Sequence, residues 1–289
     1  MRKNIIMIVN PISGDIDKSE FIVAAAHLAA AENLNFVLYN TTGDDDILKI
    51  KSLYLSYNPE RIIVAGGDGT IKMVAEAMEK NDVIIGIVPA GSANGLAMDL
   101  NLPSTVEENL DIAFHNKYME IDMISINGKK SIHLSDLGLN AEMIKNYEKS
   151  TIRGKWGYAL QTVTTLIDLN DPFMATIKGN FETIECTARM IVIANSKKYG
   201  TGVSINPNGV MDDGKFELVI LKNLDLVILG KIITGNMPLD SDDVEIISTD
   251  SAVITTNEPV CFQIDGEYYG EETKLEIKIL RKQMKVAIP

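Results

Sequence analysis

The chemistry of this chain centres on a glycine-rich joint, GGDGT at residues 66–70, set between an apolar run and an amphipathic run. A glycine turn that leaves a parallel strand exposes backbone N–H groups and admits a ligand without a Cβ collision. A helix that begins there adds the positive end of its dipole. The joint therefore predicts a phosphate-binding loop, although a purely steric strand-to-helix turn is the alternative. It is neither a Walker A loop nor a GxGxxG fingerprint.

Two further loops of small and polar residues follow other apolar runs. They are NPISG at 10–14 and PAGSANG at 89–95. Each alone is ordinary turn chemistry. Three such loops at the carboxyl ends of parallel strands, however, indicate a crevice for a phosphorylated ligand.

Acidic residues beside glycines mark two later turns. In QIDGE, Asp265 and Glu267 stand one glycine apart after an apolar run, which suits proton transfer or cation binding. From the residues alone, a solvated Asp-Gly turn is the preferred interpretation. GVMDDGK at 209–215 supports a hairpin turn and a cation site equally.

The elements that must position these loops alternate in the first part of the chain. Apolar runs at 3–9, 35–39, 61–65 and 83–88 predict strands, and segments at 17–33, 44–57, 71–80 and 104–117 predict helices. This alternation predicts a parallel sheet with helices on both faces.

Beyond about residue 122, shorter apolar runs predict antiparallel strands. They lie at 119–126, 132–134, 175–178, 188–194, 216–221, 252–256, 260–264 and 275–280, with a turn at Asn127-Gly128 and helices at 156–169 and 224–233. We therefore expect an α/β domain followed by a β-rich domain, with the boundary near residue 124.

Composition excludes several classes of function. The net charge of −13 over 289 residues disfavours nucleic acid and non-specific binding to an anionic bilayer. The first apolar run is too short for a signal peptide, and no run of about 18 apolar residues predicts a transmembrane helix, so we expect a soluble cytoplasmic protein. Cys186 and Cys261 suit buried free thiols, and His27, His115 and His133 suit packing or surface positions, because none has metal-site spacing.

The motifs NPISG, GGDGT, PAGSANGLA, DDGKFELVIL and IDGE, in this order, resemble the soluble diacylglycerol kinase and sphingosine kinase superfamily of lipid kinases. The resemblance covers nearly the whole chain and extends distantly to NAD kinases, which share GGDGT. It implies a Rossmann-like α/β domain at 1–124 that binds ATP. It also implies an antiparallel β-sandwich-like domain at 125–281, with the last strand, 282–289, returning to the first domain. The implied reaction moves the γ-phosphoryl group of ATP to a lipid hydroxyl, of diacylglycerol or sphingoid type, in the cleft between domains.

The resemblance also implies roles for single residues. Glu267 is the implied proton acceptor, with Asp265 as its partner in orientation or metal binding. Mg²⁺ would bind near Asp68 and Asp122, although Asp122 also suits an exposed acid at a strand end. A structural Mg²⁺ would bind Asp213 and the carbonyls of Val210 and Lys215. The implied nucleotide-binding residues are Asn10, Pro11, Ser13, Gly14, Gly66, Gly67, Asp68, Gly69, Thr70, Ser92 and either Thr41 or Thr42.

One departure concerns the loop after the fourth strand. Many bacterial diacylglycerol kinases read GTxND there, whereas this chain has Gly95 in place of the aspartate and resembles the GSxNA form of sphingosine and ceramide kinases. In the GTxND form, the resemblance implies that this aspartate binds Mg²⁺ through water together with other aspartates. Its replacement by Gly95 puts that full network in doubt and leaves the lipid acceptor open.

Two alternatives to a lipid kinase follow from the shared motifs. One is an NAD kinase-like enzyme with a soluble acceptor, and the other is a nucleotide-binding protein without catalysis. The locally basic stretch 145–156 predicts transient contact with a membrane lipid surface through Lys149, Arg153, Lys155 and Trp156, or else a solvated helix connection. The oligomeric state stays open and includes a homodimer.

Overall fold

The computed structural model describes residues 3–79, 81–149, 171–180, 183–198, 204–223, 231–232 and 242–289. The chain divides into two compact units, Met1–Ile121 with Arg281–Pro289, and Asp122–Leu280. This division lies close to the boundary expected at residue 124. The helix expected at 156–169, most of the one expected at 224–233, and the predicted lipid-contact residues Arg153, Lys155 and Trp156 lie outside the described residues.

The first unit contains the predicted parallel sheet. Its strands run in the order β4-β3-β1-β2, and every neighbouring pair is parallel. The strands are β1 (Asn4–Val9), β2 (Asn35–Asn40), β3 (Arg61–Gly66) and β4 (Ile84–Pro89). The helices are α1 (Ser19–Ala31), α2 (Asp46–Tyr57), α3 (Asp68–Ala77), α4 (Gly95–Asp99) and α5 (Val106–His115).

Burial explains why the central strands of this unit are almost continuously apolar. In β3, residues 62–65 are fully buried, as expected for parallel strands covered on both faces. β2 lies at the edge and is half-exposed along its length. Because β4, β3 and β1 are adjacent and parallel, their carboxyl ends lie side by side, at what is called here the carboxyl edge of the sheet.

The second unit is built mainly from antiparallel strands. They are β5 (Tyr118–Ile126), which begins in the first unit, β6 (Lys129–Ser131), β7 (Leu134–Gly138), β8 (Phe173–Lys178), β9 (Thr183–Ala188), β10 (Met190–Ala194), β11 (Phe216–Leu221), β12 (Val244–Thr249), β13 (Ser251–Ile264) and β14 (Glu267–Ala287). Antiparallel pairing joins β7 to β10 and β13, β10 to β11, β11 to β12, and β13 to β8 and β14. α6 (Leu139–Lys149) follows β7.

The end of β14 returns to the first unit. Lys285 and Val286 pair in parallel with Ile84 and Ile85 of β4, which adds a fifth strand to the parallel sheet. The expected return of the last strand is thus confirmed. The turn at Asn127-Gly128 is also confirmed, because both residues have positive φ (48° and 80°). The strand expected at 132–134 is wrong for its first two residues, which form the connection between β6 and β7.

No helix among the described residues is both long and apolar enough to cross a membrane.

Candidate active site

The three small-residue loops of the first unit meet at the carboxyl edge of its sheet. Sheet-like hydrogen bonds continue past the strands, because Asn10 N donates to the Ala65 carbonyl (3.0 Å) and Ala90 N donates to the Gly66 carbonyl (2.9 Å). The side chain of Asn10 crosses to the next loop, where its Nδ2 donates to Thr70 Oγ1 at 3.2 Å. Residues from NPISG and GGDGT are therefore in direct contact.

Several glycines in these loops are required by packing between backbones. A Cβ on Gly91 would lie 2.4 Å from the Cα of Gly67, and a Cβ on Gly14 would lie 2.7 Å from the Ala90 carbonyl oxygen. Gly14 also has φ +64°, which disfavours a side chain. The steric interpretation of the loops therefore holds for these positions.

Gly69 differs from Gly14, Gly67 and Gly91 because no loop packs against it. It is exposed in the first turn of α3, and a Cβ placed there would meet nothing within 4 Å. Space beside the N-terminal turn of a helix suits an anion, since unpaired N–H groups and the helix dipole are both favourable there.

Asp68 joins the loop after β3 to the loop after β4. Its two carboxylate oxygens accept hydrogen bonds from the backbone N–H groups of Gly95 (2.8 Å) and Leu96 (3.0 Å) at the start of α4. This carboxylate therefore has a positioning role that needs no metal. It replaces the missing N-cap side-chain bond of α4.

Asn94 holds the turn that carries the exposed Ser92. Its Oδ1 accepts from Gly91 N (2.8 Å), its Nδ2 donates to the Gly91 carbonyl (2.9 Å), and its φ is +55°. Sequence reasoning assigned Asn94 no role, although the asparagine of the GSAN motif was the available signal.

Asp46 organises the loop that contains Thr41 and Thr42. Thr41 is buried, and its N–H donates to the Val9 carbonyl (2.8 Å) just beyond the last β1–β2 pair, whereas Thr42 is exposed. The carboxylate of Asp46 accepts from Thr42 N (2.9 Å), Gly43 N (2.8 Å) and the Tyr39 hydroxyl (2.5 Å).

Burial pushes the pKa of Asp46 upward, but these hydrogen bonds outweigh burial and hold the pKa below its usual range. Burial together with the neighbouring Asp46 carboxylate raises the pKa of Tyr39 to about 12. The loop is thus fixed by a residue that the motif comparison did not include.

In the second unit, Asp265 is an organising residue rather than a solvated turn acid. Its carboxylate accepts from Ser131 Oγ (2.8 Å), His133 N (3.0 Å) and Ile132 N (3.2 Å). Its own N–H donates to the Leu134 carbonyl, and its φ is +49°. Asp265 therefore fastens the β13–β14 turn to the β6–β7 connection.

Glu267 has different surroundings, although it is only two residues away. It is exposed at the start of β14, and its Oε2 accepts from the Tyr269 hydroxyl at 3.3 Å. The pairing of β13 with β14 shifts between Phe262 and Gln263, which leaves Tyr269 as an extra residue in a β-bulge. The two side chains are two residues apart on one strand, so they point to the same face and come into contact.

Asp122 is not the exposed acid at a strand end that its sequence position allows. It is 1% exposed, and its Oδ2 accepts from Gly214 N at 2.7 Å, while its N–H donates to the Met211 carbonyl at 2.7 Å. Asp122 therefore holds the 211–214 turn in the second unit, whereas Asp68 belongs to the first unit.

The 210–215 turn offers oxygen donors suited to a hard cation. Asp213 and Val210 are exposed, and Asp213 Oδ1 accepts from Lys215 N at 2.9 Å. One carboxylate with backbone carbonyls fits Mg²⁺, which keeps several waters. Within the described ranges, no three His, Cys, Asp or Glu side chains cluster, so a metal here depends on carbonyls and water.

The thiols and imidazoles form no site of their own in the described part of the chain. Cys186 and Cys261 are free and half-buried, less buried than expected, and burial raises the pKa of each thiol. His115 contacts Glu32 and Asp111 at the surface.

Comparison with known proteins agrees with these motifs. Residues 4–126 match the model of the diacylglycerol kinase catalytic domain. Residues 136–287, more than half of the chain, match the YegS C-terminal NAD kinase beta sandwich-like domain.

Relatives match most of their own length. The diacylglycerol kinase of Staphylococcus carnosus is 25% identical over 283 residues, covering 94% of this chain and 90% of its own. The probable lipid kinase YegS of Salmonella arizonae is 27% identical over 227 residues, covering 75% of each chain. The crystal structure of a diacylglycerol kinase from Bacillus anthracis has the same fold, with a TM-score of 0.77 at 20% identity, over 99% of this chain and 97% of that one. Because the YegS domain model covers more than half of it, the chain belongs to the YegS-like family of lipid kinases, and it is a phosphotransferase.

Proposed function

We propose that ATP is the phosphoryl donor and that its phosphates bind where the loops after β1, β3 and β4 converge. The observation that carries this proposal is the open space at Gly69, which lies on the first turn of α3, whereas Gly67 packs against the backbone of Gly91 and Gly66 against the side chain of Thr70. The polar groups offered there are Asn10, Ser13, Thr70, Ser92 and the N–H groups of 67–69, since the N–H of Thr70 already donates to the Gly67 carbonyl. Pro11 shapes the turn, and Thr41 or Thr42 lies beside it after β2.

Magnesium fits two places in this proposal. When bound with ATP, it supplies positive charge for the phosphoryl group. Each oxygen of Asp68 already accepts one hydrogen bond, but a carboxylate oxygen has a second lone pair, so Asp68 can still contact the ion directly or through water. The second, structural place is the turn with Asp213 and the carbonyls of Val210 and Lys215, which the buried Asp122 holds.

Glu267 is the proposed general base. Its exposed carboxylate accepts the proton of the lipid hydroxyl. The hydroxyl oxygen bonds to the γ-phosphorus as the bond to the β–γ bridging oxygen breaks and ADP leaves. Asp265 orients the turn that carries Glu267 through its bonds to 131–133.

The proposed acceptor is a lipid alcohol, of diacylglycerol or sphingoid type, reached by transient contact with a membrane surface. The relative from Staphylococcus carnosus is named a diacylglycerol kinase, which supports the glycerolipid first. Gly95, which resembles the sphingosine kinase form, supports testing the sphingoid class beside it.

The test is transfer of labelled γ-phosphate from Mg²⁺-ATP into diacylglycerol, sphingosine and ceramide in mixed micelles, with NAD and no acceptor as controls. We expect one lipid class to be labelled by the wild type and not by Glu267→Gln. Glu258→Gln is the matched control, because Glu258 is an exposed glutamate of β13. Labelled NAD would overturn the lipid assignment, and a fully active Glu267→Gln would overturn the general base.

A further inference from the structure

Lys18 is a buried cation beside the first of the three loops. The residue is 4% exposed and immediately precedes α1. Its ammonium donates a hydrogen bond to the backbone carbonyl of Ser13. Neither the motifs nor the proposed mechanism uses this side chain.

The backbone between Ser13 and Lys18 bends so that the lysine can reach back to the loop. Gly14 (φ +64°) and Asp15 (φ +51°) are consecutive left-handed residues, an arrangement that costs energy for a non-glycine residue. Apolar side chains of the same segment remain in solvent, since Ile12 is 82% exposed and Ile16 is 45% exposed. Burying the charge while exposing isoleucines reverses ordinary hydrophobic sorting, and such reversals concentrate at functional sites.

The charge of Lys18 is offset only weakly, by two acids that lie in solvent. Among the residues that the structure describes, Lys18 makes no ion pair, and the neighbouring acids Asp15 and Asp17 are exposed. The carboxylate of Asp17 instead accepts from Ser19 N (2.9 Å) and Ser19 Oγ (2.7 Å). Burial lowers the pKa of Lys18, against a smaller opposing effect of Asp15 and Asp17. A buried ammonium without an ion-pair partner is costly, and a bound anion would reduce that cost.

The position of Ser13 indicates where such an anion binds. A Cβ on Gly67 would lie 3.4 Å from Ser13 Oγ, so the residue that Lys18 holds lies against the GGDGT loop. The ammonium has three donors, and the Ser13 carbonyl takes one of them. Lysine commonly binds phosphate as a point charge.

We propose that Lys18 is the cationic phosphate ligand of the 10–14 loop and that its ammonium neutralises nucleotide phosphate bound there. This inference rests on the proposed binding of ATP at the three loops. The competing role is a clamp that only holds the Ser13 carbonyl. A clamp would stabilise the protein without ligand, whereas an unpaired buried charge lowers stability until the anion binds.

The test compares Lys18→Met, which keeps the apolar stem, with Lys18→Gln, which keeps a donor for the Ser13 carbonyl but removes the charge. Binding of ATP, ADP and adenosine to the full chain is measured by calorimetry, and melting is measured without ligand. We expect ATP and ADP to bind about 10-fold more weakly or worse to both variants, because a charged hydrogen bond is lost, with adenosine unchanged. Melting without ligand should stay the same or rise.

A control variant and the pattern of outcomes distinguish failure of the proposed ATP binding from failure of the proposed role of Lys18. Lys51→Gln removes one charge from the exposed face of α2 and should leave ATP binding unchanged. If the wild type fails to bind ATP, the proposed function falls and the inference falls with it. If the wild type binds ATP but Lys18→Gln binds it within about twofold, the phosphate role of Lys18 alone is overturned. Equal weakening of ATP and adenosine, with lower melting, would establish the clamp instead.

Discussion

The carboxylate of Asp68 accepts a hydrogen bond from the backbone N–H of Gly95 at 2.8 Å, and so joins the turn after β3 to the first residue of α4. Because the donor is a backbone group, the contact does not depend on the side chain that the family resemblance expects at position 95. Asp68 thus positions the proposed nucleotide site in addition to any contact with Mg²⁺.

Replacing Asp68 should lower stability as well as activity. Asp68→Ala leaves two part-buried N–H groups without their acceptor, and we expect the free energy of unfolding to fall by about 1–3 kcal/mol. Turnover should be lost together with loop order. Urea unfolding and labelled phosphate transfer measure the two effects. Unchanged stability with lost turnover would assign Asp68 to metal binding alone.

Two glycine substitutions should separate loop packing from ligand approach. In Gly91→Ala the new methyl group would lie 2.4 Å from the Gly67 Cα, so we expect lower melting and loss of ATP binding. In Gly69→Ala the methyl group meets open space, and alanine favours the helix, so melting should be unchanged or higher. ATP should nevertheless bind Gly69→Ala at least several-fold more weakly. If it binds with wild-type affinity, the phosphates do not approach Gly69.

The fold of the first unit could be predicted because each of its strands is marked by the local order of apolar and polar residues. Its buried strands are almost continuously apolar, and each is followed by a turn and an amphipathic segment. In the second unit, β6, β9, β12 and α6 were missed. β6 is a short charged segment, β9 and β12 are half-exposed, and α6 is polar overall, so none of them stands out as an apolar run.

The candidate site could be predicted only where its residues stand in motifs. Asp265 contacts Ser131 across 134 positions of sequence, and no local pattern records such a contact. Asp46 and Lys18 were missed for another reason. A charged residue with polar neighbours is ordinary at the start of a helix, so neither stood out in the sequence. Their roles follow only from burial.

Substitutions of the two acids of the QIDGE turn should have different effects, one on turnover and the other on stability. Glu267→Gln should reduce kcat by about 10²- to 10⁴-fold, the usual contribution of a general base, and leave urea unfolding unchanged because Glu267 is exposed. Asp265→Ala should lower the free energy of unfolding by about 1–3 kcal/mol, because it removes the acceptor of Ser131, Ile132 and His133. Equal stability losses in both variants would contradict separate roles.

Removal of divalent cation should destabilise the protein through the 210–215 turn. We expect a chelator to lower the melting temperature of the wild type and added Mg²⁺ to restore it, since a ligand that binds only the folded state stabilises it. Asp213→Asn should lose most of this response. The exposed neighbour provides the control, because Asp212→Asn should respond like the wild type. If Asp213→Asn still loses melting temperature on addition of a chelator, the stabilising ion binds at another site.

His115 should make the stability of the first unit depend on pH. Its imidazole hydrogen-bonds to Glu32, just after α1, and to Asp111 of α5 at 2.7 Å. These two hydrogen bonds, of which the one with Glu32 has the larger effect, raise the pKa of His115 above 6.5. Because the folded state holds this proton more tightly, the stabilisation is fully present below pH 6.5. It is lost as pH rises through the higher folded-state pKa. The side chain is 39% exposed, so solvent screening keeps the effect below about 1 kcal/mol. Urea unfolding of wild type and His115→Gln should therefore differ at pH 6 and converge at higher pH. His27→Gln, at an exposed position of α1, is the control, and a difference between wild type and His115→Gln that grows with pH would contradict the assignment.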